Sequence, residues 1–356
     1  MAGHRQVIEL KMSSKVTIQG LSIGAGAPVR VESMLKTPLT DIEGCISQCG
    51  RLLNAGCEIA RVALPDAGSA SILKQLIKST ALRLMADVHF DPDIAIAAMK
   101  NGCSSVRINP GNMSTLKLSE MVKTAKDLNV TIRIGANGGS IGNSHMHKAN
   151  GDRALALFFA VEEQAEILIK NNFNENIILS AKSSNIPETV RANSLISKKY
   201  NYPLHIGITE AGFDVEGVVK GAVGIGLMLA QGIGDTIRVS LTDEPEQEVR
   251  AGYAILNALG IRNRGVNIIS CPTCGRRRID VKELLKVVEP IIKEIPEGKI
   301  KSLAVMGCEV NGPREAQHAD FGIAGTPNGA AIFKNGEIIG SYTIQELPDV
   351  ISKYLL

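Results

Sequence analysis

Three of the seven cysteines have the spacing of metal ligands. Cys271 and Cys274 form the motif CPTC, and Cys308 lies in the polar, glycine- and proline-containing segment GCEVNGPREAQ at residues 307–317. A CxxC motif is compatible with half of a zinc site, with a thioredoxin-like dithiol or with half of an iron–sulfur site. The third cysteine disfavours the dithiol, because a redox dithiol needs no distant partner. Zinc would take a fourth ligand such as His318, which is ten residues from Cys308.

The remaining cysteines and a pair of histidines indicate ordinary structural roles. Cysteine is often a small buried apolar residue, and four cysteines fall in or beside predicted barrel helices and strands. These are Cys45, Cys49, Cys57 and Cys103. His145 and His147 in GNSHMHK are spaced like a metal-binding pair, but the segment is polar, so we predict solvated side chains. An odd number of cysteines in a long chain also disfavours a disulfide framework.

A second group of residues indicates anion binding. Five cationic side chains lie at corresponding positions near the ends of short β-rich segments: Arg61, Arg107, Arg133, Lys182 and Arg238. Five positive charges that gather at one mouth repel one another. A partly dry cavity raises the free-energy cost of this repulsion unless an anion neutralises the charges. A diphosphate has the charge to do so. The same strand ends carry further polar residues, namely Asp87, His89, Asn109, Asn137, Thr209, Glu210 and Ser240.

These residues need a scaffold that brings strand ends together. Short β-rich segments alternate with helical stretches from residue 29 to about residue 260, and we count eight such units. The predicted strands cover residues 29–33, 57–63, 82–89, 104–110, 130–137, 176–182, 202–209 and 235–242. A helix is predicted after each strand, such as 40–56, which opens with Thr40 and Asp41 and closes with Gly56. Eight successive βα units favour a (β/α)8 barrel, whose chemistry lies at the carboxyl ends of its strands, over an open doubly wound sheet.

The barrel is predicted to occupy residues 1–262 and a small α+β domain residues 263–356. In the second domain, residues 281–295 have the spacing of an amphipathic helix. Its predicted strands cover residues 266–270, 301–307, 319–325, 330–336 and 337–342. The CPTC motif follows one of these strands and the third cysteine of the set ends another, which places the three thiols on adjacent loops.

Composition argues against several classes of function. Lys plus Arg number 39 and Asp plus Glu 36, a formal net charge of +3, and aromatic residues make up 3% with no Trp. Such a chain lacks the basic grooves and stacking rings that bind single-stranded nucleic acid. The longest apolar and glycine-rich run, residues 221–230, is too short to span a bilayer, and residues 1–11 lack the apolar core of a signal peptide. We therefore expect a cytoplasmic protein that binds neither nucleic acid nor membrane.

Most of that run, GAVGIGLML at residues 221–229, has two interpretations. It could be a backbone phosphate cradle, since barrel phosphate sites favour the loops after strands seven and eight. It lacks the GxGxxG spacing, so we predict close helix packing by small residues instead.

The motifs together resemble those of one enzyme family. They are RVALPD, ADVHFD, RINPGN, RIGAN, HIGITEAG, GIGDTIRVSLT, IISCPTCGR and GCEVNGPREA. Over essentially the whole chain they are similar to the bacterial 4-hydroxy-3-methylbut-2-enyl diphosphate synthases of the methylerythritol phosphate route to isoprenoids, and the last three motifs are highly specific. The resemblance implies an N-terminal barrel, a C-terminal domain with a [4Fe–4S] cluster held by three cysteines and one glutamate, and 2-C-methyl-D-erythritol 2,4-cyclodiphosphate as substrate.

Carried over to this chain, the resemblance implies the cluster ligands Cys271, Cys274, Cys308 and Glu315. It implies that the diphosphate is contacted by Arg61, Arg107, Arg133 and Lys182, and that the same pocket is lined by Asn109, Asn137, Thr209, Arg238 and Ser240. Asp87 and His89 also match family motifs and are assigned to the pocket, and Glu210 is the best candidate for the proton donor. A carboxylate is a harder, less covalent partner for iron than a thiolate, so we hypothesise that Glu315 guards an iron that substrate can later occupy.

Three positions depart from the family pattern. Lys36 stands where the family usually has asparagine, Asn185 where it has aspartate, and Arg314 where it has glycine. Lys36 and Arg314 add positive charge near an anionic site and near the cluster, so we expect them to alter substrate affinity or reduction potential. None of the three changes removes a ligand.

The resemblance also implies partners. The reaction needs two electrons, and the chain shows no NAD or flavin motif, so we expect a ferredoxin or flavodoxin as electron donor. Chain direction favours a head-to-tail homodimer with the cluster of one chain over the barrel of the other. The last predicted barrel helix runs back from the mouth, and the roughly ten residues after it span at most about 35 Å, so the second domain more easily reaches a neighbouring chain.

Two other functions fit parts of the sequence. The first is a cofactor-independent barrel aldolase or isomerase acting on a sugar phosphate, with a structural zinc site in the C-terminal domain. The second is a non-enzymatic, iron-responsive binding protein. The metal content and the activity of the purified protein distinguish both from the cluster enzyme.

Overall fold

The computed structural model divides into two compact units, Met1–Arg262 and Asn263–Leu356. It describes residues 8–89, 91–109, 115–296, 298–309 and 316–356. None of the described helices combines the length and the hydropathy needed to cross a lipid bilayer.

The first unit contains ten strands and nine helices among its described residues. The strands are β1 (Val16–Ile18), β2 (Leu21–Ile23), β3 (Arg30–Met34), β4 (Ile59–Ala63), β5 (Arg83–Asp87), β6 (Ser105–Ile108), β7 (Thr131–Asn137), β8 (Ile177–Lys182), β9 (His205–Ile206) and β10 (Thr236–Ile237). The helices are α1 (Ile42–Ala55), α2 (Ser69–Ser79), α3 (Pro92–Lys100), α4 (Thr115–Asp127), α5 (Asn143–Lys148), α6 (Arg153–Lys170), α7 (Ile186–Lys199), α8 (Asp214–Ala230) and α9 (Pro245–Ala258).

Eight parallel strands form a nearly closed barrel. Their order is β8-β7-β6-β5-β4-β3-β10-β9, and each of them overlaps one of the eight predicted segments. The two ends of this order meet through a parallel bridge between Leu179 and Leu204, supported by a 2.9 Å hydrogen bond from Leu179 N to Pro203 O. The (β/α)8 prediction is therefore confirmed, and the open sheet is excluded.

The predicted first barrel helix is confirmed, and so are the residues predicted to begin and end it. Asp41 caps the amino end of α1, where its Oδ1 accepts a 2.9 Å hydrogen bond from Gly44 N. Gly56 ends the helix with φ 95°, a left-handed conformation that glycine adopts without a Cβ penalty.

A short hairpin closes the amino-terminal end of the barrel, and the sequence analysis did not predict it. Strands β1 and β2 pair antiparallel, and the turn residues Gln19 and Gly20 both have positive φ, as a type I′ turn requires. Its apolar side chains pack on inward-facing residues of β4, β5 and β8, forming one buried cluster: Val16, Ile18, Ile23, Ile59, Met85 and Ile178. Thr131 Oγ1 also donates a 3.2 Å hydrogen bond to Thr17 O. The lower barrel interior is therefore apolar.

The glycine-rich run lies inside α8 and packs closely on the barrel. A Cβ on Gly224 would lie 2.4 Å from both Cδ1 and Cγ1 of Ile208, and a Cβ on Gly221 would lie 3.1 Å from Val239. Amides in the middle of a helix are already hydrogen-bonded to carbonyls, so they offer little to a phosphate. The prediction of helix packing by small residues is confirmed.

The second unit is an α+β fold built on one sheet. Its strands are β11 (Asn267–Ser270), β12 (Ser302–Met306), β13 (Phe321–Thr326), β14 (Gly329–Lys334) and β15 (Glu337–Tyr342), and its helices are α10 (Val281–Glu294) and α11 (Leu347–Leu355). The strands lie in sequence order, with β11, β12 and β13 parallel and the rest antiparallel. Val288 of α10 and Ile351 of α11 are buried in its core. The five strands and α10 match the prediction, whereas α11 was not predicted.

The packing of α8 can be tested by Gly224→Ala. Because Ile208 is buried and within 2.4 Å of the new Cβ, we expect the free energy of unfolding to fall by about 1–3 kcal/mol. Gly226→Ala in the same helix is the control, since nothing lies within 4 Å of its new Cβ and alanine favours a helix by about 0.5–1 kcal/mol over glycine. Urea unfolding followed by circular dichroism measures both variants. Equal stability of the two would contradict close packing at Gly224.

Candidate active site

A polar cavity of about 250 Å³ lies at the carboxyl ends of the barrel strands. Ten of the eleven residues predicted to bind substrate line it: Arg61, Asp87, His89, Arg107, Arg133, Asn137, Lys182, Thr209, Arg238 and Ser240. Met34, Gly135, Ser180 and His205 complete the lining. The eleventh, Asn109, is half-buried just after β6 and is not part of the wall.

Strand register explains why these side chains converge. Asp87, Arg107 and Arg133 are register partners on the neighbouring strands β5, β6 and β7. Asn137 of β7 is likewise the partner of Lys182 on β8. Register partners on parallel strands point to the same face of the sheet at the same height. Register therefore brings Asp87, Arg107 and Arg133 together on adjacent strands, and it places Lys182 beside Asn137 further along.

Asp87 holds two of the cations. Its Oδ2 lies 3.4 Å from Arg61 Nη1, and its Oδ1 lies 3.3 Å from Arg107 Nη1, which also contacts His89 Nδ1 at 3.0 Å. Burial would raise the pKa of Asp87, but Arg61 and Arg107 outweigh it and hold the pKa below its ordinary value. Asp87 therefore stays ionised and fixes the two guanidinium groups.

Arg238 is held by a carboxylate outside the strands. Glu248 of α9 is fully buried, and its two oxygens accept hydrogen bonds from Arg238 Nε at 3.1 Å and Nη2 at 3.2 Å. Ser33 Oγ at 2.8 Å and Leu241 N at 3.2 Å also donate to Glu248. The sequence analysis missed Glu248, because an acidic residue in the first turn of a helix is common on a protein surface.

A buried chain of polar contacts links Lys182 to Arg133. Lys182 Nζ is 2.7 Å from His205 Nε2, and His205 Nδ1 is 2.7 Å from Thr236 Oγ1 and 3.5 Å from Glu32 Oε2. Glu32 Oε2 accepts a hydrogen bond from Arg133 Nη1 at 2.5 Å. Burial and the nearby cations hold the pKa values of Lys182 and His205 well below their ordinary values.

Glu32 and His205 were not assigned a role from sequence. For Glu32 the available signal was an acidic residue between Val31 and Ser33 in the strand segment VRVESM, residues 29–34, at an inward-facing position. His205 was visible as a polar residue near a strand end, but its neighbours depend on barrel closure.

Several buried polar atoms are left without a hydrogen-bond partner among the described residues. Arg61 Nε and Arg133 Nη2 are unpaired donors, and Glu32 Oε1 is an unpaired acceptor. Burial, together with the other arginines, lowers the pKa of Arg61 to about 9. An anion in the cavity would satisfy the two donors and offset the repulsion.

Glu210 lies outside this cavity wall. It is exposed, has φ 52°, and lines a neighbouring cavity of about 350 Å³ that shares Asn137 and Thr209 with the first. A non-glycine residue in the left-handed region costs free energy, and such residues cluster at functional sites.

The departures from the family pattern have local roles where the structure describes them. Lys36 Nζ donates to Leu241 O at 3.0 Å and to Asp243 O, so it ties down the segment after β10. Asn185 caps α7, where its Oδ1 accepts from Glu188 N at 2.9 Å, a role that aspartate fills equally well. Arg314 lies outside the described residues.

The three predicted cluster cysteines come together in the second unit. Cys271 follows β11 and Cys308 follows β12, and these strands are parallel neighbours. Together with Cys274 they line one cavity of about 140 Å³, and Gly307 N donates a 3.1 Å hydrogen bond to Cys271 Sγ. The predicted fourth ligand, Glu315, lies outside the described residues.

The cysteine cavity fits an iron–sulfur cluster in its donor set. Three convergent thiols suit iron, and in a [4Fe–4S] cluster each thiolate binds a different iron, so the sulfurs need not meet at a single ion. Among the described residues, no group of three His, Cys, Asp or Glu side chains is arranged to hold one metal ion. His318 is exposed.

The other cysteines have the predicted structural role, whereas the prediction of a solvated side chain is wrong for His145, whose side chain is only 19% exposed. The four remaining cysteines, Cys45, Cys49, Cys57 and Cys103, are buried in the barrel. Burial raises the pKa of Cys49 to about 11, which keeps that thiol protonated and unreactive. His145 pairs with Glu163 at 2.5 Å and His147 is exposed, so they form no joint site.

Comparison with known families agrees with this arrangement. The family of the GcpE TIM-barrel domain matches residues 13–253, and that of the GcpE protein C-terminal domain matches residues 267–355. The chain belongs to the GcpE family. The resemblance seen in the sequence motifs is thus confirmed, and the two matches together cover nearly all of this chain.

Relatives in the GcpE family are similar along their whole length. A protein of Thermodesulfovibrio yellowstonii is 45% identical over 97% of this chain and 98% of its own, and one of Clostridium acetobutylicum is 44% identical over 95% and 97%. Both are named 4-hydroxy-3-methylbut-2-en-1-yl diphosphate synthase (flavodoxin). Among solved structures, a Yersinia pestis DHPS has a TM-score of 0.50 at 11% identity, covering 69% of this chain and 100% of its own, a similarity of fold alone.

The buried Arg133–Glu32 pair can be tested without a ligand. Arg133→Met should lower the free energy of unfolding by about 3–5 kcal/mol, because it leaves the Glu32 carboxylate buried without its ion-pair partner. Adding Glu32→Gln removes the second charge and should recover part of that loss. Urea unfolding of the single and double variants measures the coupling. A double variant no more stable than Arg133→Met would contradict the pairing.

Proposed function

We propose that this protein catalyses the reductive ring opening and dehydroxylation of 2-C-methyl-D-erythritol 2,4-cyclodiphosphate to 4-hydroxy-3-methylbut-2-enyl diphosphate, in the methylerythritol phosphate pathway to isoprenoids. The observation that carries the proposal is the barrel cavity, where five cations converge and two buried guanidinium donors have no hydrogen-bond partner among the described residues. The names of the full-length relatives support the same reaction. Two electrons and two protons are consumed, and one water is released.

The barrel cations bind the diphosphate and stabilise it as it leaves carbon. Charge-assisted hydrogen bonds from Arg61, Arg107 and Arg133 hold its oxygens in place, and Lys182 and Arg238 complete the ring of charge. When the bond between the tertiary carbon and its phosphate oxygen opens, that oxygen gains negative charge. Preorganised cations stabilise this charge without rearranging, which lowers the barrier to ring opening.

Glu210 is proposed as the proton donor for the departing hydroxyl group. Its carboxyl lines the cavity that adjoins the diphosphate site through Asn137 and Thr209, so a substrate anchored on the cations could extend toward it. The left-handed backbone at Glu210 supports a functional reason for its position.

The second unit is proposed to hold the cluster. Cys271, Cys274 and Cys308, with Glu315 as the fourth ligand, would bind a [4Fe–4S] cluster, which supplies electrons one at a time when it is bound. The carboxylate of Glu315 is a harder and more readily displaced ligand than a thiolate. Its role would be to protect one iron while leaving it exchangeable.

Anaerobic purification tests the function. The protein should be brown, hold about four iron and four sulfide per chain, and convert the cyclodiphosphate under a strong reductant. Cys271→Ser should lose both colour and turnover, whereas Glu315→Ala should keep more of its colour and lose turnover. Zinc without colour would support a sugar-phosphate aldolase instead. A brown protein that is inert toward the cyclodiphosphate would refute the proposed reaction, and full activity of Glu315→Ala would refute the fourth ligand.

The electron donor is proposed to be a flavodoxin that docks beside the cysteines. Arg276, Arg277 and Arg278 are all exposed, and Arg276 and Arg277 line the cysteine cavity. The backbone of this segment is fixed to the cysteine loops, since Arg277 N donates to Cys274 O at 3.0 Å and Arg278 N to Gly307 O at 2.7 Å. A fixed positive surface of this kind suits an acidic carrier protein.

Arg276→Gln/Arg278→Gln tests the docking surface. Removing two positive charges should weaken flavodoxin binding about tenfold and reduce its dependence on salt. Turnover with flavodoxin should fall, whereas turnover with dithionite should be unchanged. Lys353→Gln, an exposed charge on α11, is the matched control and should alter neither. Binding of flavodoxin to the double variant with wild-type affinity would refute this docking surface.

The protein is proposed to act as a homodimer in which each chain's cluster serves its partner's barrel. Arg262 Nη1 donates to Val29 O at 2.8 Å and lies 2.7 Å from Glu58 Oε2, just before strands β3 and β4. The chain therefore leaves the barrel at the amino-terminal ends of the strands, opposite the cavity. Cys271 is nine residues further on, a reach of at most about 30 Å, which favours the cavity of a neighbouring chain.

An exposed apolar stripe on α8 supports self-association. Val215, Val219, Val223 and Leu227 recur every fourth residue, and each is about half exposed or more. Four-residue spacing places them along one face of the helix. A contiguous exposed apolar face marks an interaction site, and a second copy of this chain, meeting it around a two-fold axis, is the proposed occupant.

Mixing two inactive variants tests the shared site. Lys182→Ala and Cys271→Ser are mixed under conditions that allow subunits to exchange. If sites form across chains, each mixed dimer has one site with both lesions and one with neither, so activity should return. Adding Val219→Glu to both variants should weaken association and reduce that recovery. A mixture that stays inactive despite demonstrated exchange would mean that each chain uses its own cluster.

A further inference from the structure

Lys182 differs from the four arginines around it in how easily its protonation can change. It is 7% exposed, and among the described residues its Nζ forms no salt bridge. Among the described residues, its Nζ contacts the ring nitrogen Nε2 of His205, at 2.7 Å. Arginine stays protonated in proteins, whereas a desolvated lysine loses its proton much more readily.

The charged groups around Lys182 come from several strands. Arg61 of β4, Arg133 of β7 and Arg238 just after β10 oppose its positive charge, and Glu32 of β3 favours it. Burial has the largest effect on the pKa of Lys182, and the three arginines have the next largest. Together they hold this pKa well below its ordinary value. In the free cavity the amine is therefore the group most readily left neutral.

His205 is placed to hold Lys182 in either protonation state. Its Nδ1 lies 2.7 Å from Thr236 Oγ1 and 3.5 Å from Glu32 Oε2, and both of these oxygens can accept a hydrogen bond. A proton on Nδ1 leaves Nε2 as the acceptor that faces Lys182, an assignment made from this hydrogen-bond network. Burial, Lys182 and the arginines lower the pKa of His205, so the ring remains neutral.

The protonated form of the site suits an anionic substrate. Among the described residues, the five cations that line the cavity face three carboxylates, Glu32, Asp87 and Glu248, and Glu248 also lies 3.8 Å from Lys36 Nζ outside the wall. Full protonation therefore leaves at least two positive charges in excess. A cyclic diphosphate carries one strongly acidic proton on each phosphorus, so it is a dianion that does not titrate near neutral pH. A neutral Lys182 would leave one fewer positive charge and one fewer charge-assisted hydrogen bond to hold this dianion.

We propose that binding of the cyclic diphosphate draws one proton from solvent onto Lys182, and that His205 is the positioning residue that holds the resulting ammonium group against the anion. The amine takes up a proton and becomes an ammonium group with three N–H bonds. One donates to His205 Nε2 and the others donate to phosphate oxygens. The inference rests on the proposed substrate and adds to it a coupling between binding and protonation.

The direction of the pH dependence follows. Below the pKa of Lys182 in the free cavity, the amine is already protonated and binding takes up no proton. Between that value and the higher pKa of the ligand-bound state, binding takes up a proton, so the Kd rises with pH by up to about tenfold per unit. Above the bound-state pKa, Lys182 stays neutral and binding is weak and independent of pH.

Isothermal titration calorimetry measures the proton directly. The cluster-loaded protein is titrated with the cyclodiphosphate anaerobically and without reductant, in buffers of different ionisation enthalpy, from about pH 6 to about pH 9. We expect uptake to approach about one proton per site within this range. Lys182→Met should bind more weakly and take up none. Proton uptake by Lys182→Met equal to the wild type would place the proton on another group and overturn the proposal.

Two variants of His205 separate positioning from a purely structural role. His205→Leu removes the acceptor, which disfavours the ammonium group, so the pH at which Kd begins to rise should move down by about one unit. His205→Gln offers an amide oxygen to Lys182 and should restore the wild-type profile. A His205→Leu profile that coincides with the wild type would remove the positioning role. If His205→Leu does not fold, His205→Ala takes its place as the test variant. Its Kd should begin to rise at a lower pH than that of the wild type, and added imidazole should restore the wild-type profile.

The result also separates this inference from the proposed function. Tight binding of the cyclodiphosphate with no proton uptake at any pH would overturn the coupling and leave the substrate assignment standing. Absence of binding at every pH would overturn the substrate and the coupling together.

Discussion

The cost of placing like charges in a dry space governs the barrel interior. Arg61, Arg107, Arg133 and Arg238 all face one cavity, and each is matched by a carboxylate held at a fixed place in the fold. Because those carboxylates come from β3, β5 and α9, the cations cannot relax away from one another without breaking their own ion pairs. The site is therefore organised before a ligand arrives, and an anion gains the full benefit of fixed donors.

The apolar end of the barrel interior supports this arrangement. Ile59, Met85 and Ile178 form an apolar floor with the hairpin, whereas Glu32, His205 and the cations make the polar contacts of the interior. The field between the charged groups is stronger above a dry floor than it would be over water. The second unit is organised differently, since its three cysteines lie on loops after strands rather than on the strands themselves.

Strand periodicity and strand ends were enough to predict that the cations converge. Arg107 and Arg133 lie at inward positions of strands that the β-rich segments of the sequence predict. Their convergence therefore followed from the barrel topology alone. Glu248 could not be predicted in the same way, because its contact with Arg238 depends on how α9 packs after barrel closure. The hairpin was missed because three-residue strands carry almost no periodicity and its turn, Gln19-Gly20, lacks the Asn-Gly or Asp-Gly signal. The motif that contains Glu315 was readable, although its structure is not described.

The hairpin under the barrel has a kinetic consequence. With β1 and β2 packed across the amino-terminal end, the cavity in the described part of the barrel opens toward the carboxyl ends of the strands. A ligand therefore enters and leaves at the same end of the barrel. A molecule bound at the cations stands in the path of the next one, which favours departure of one occupant before arrival of another.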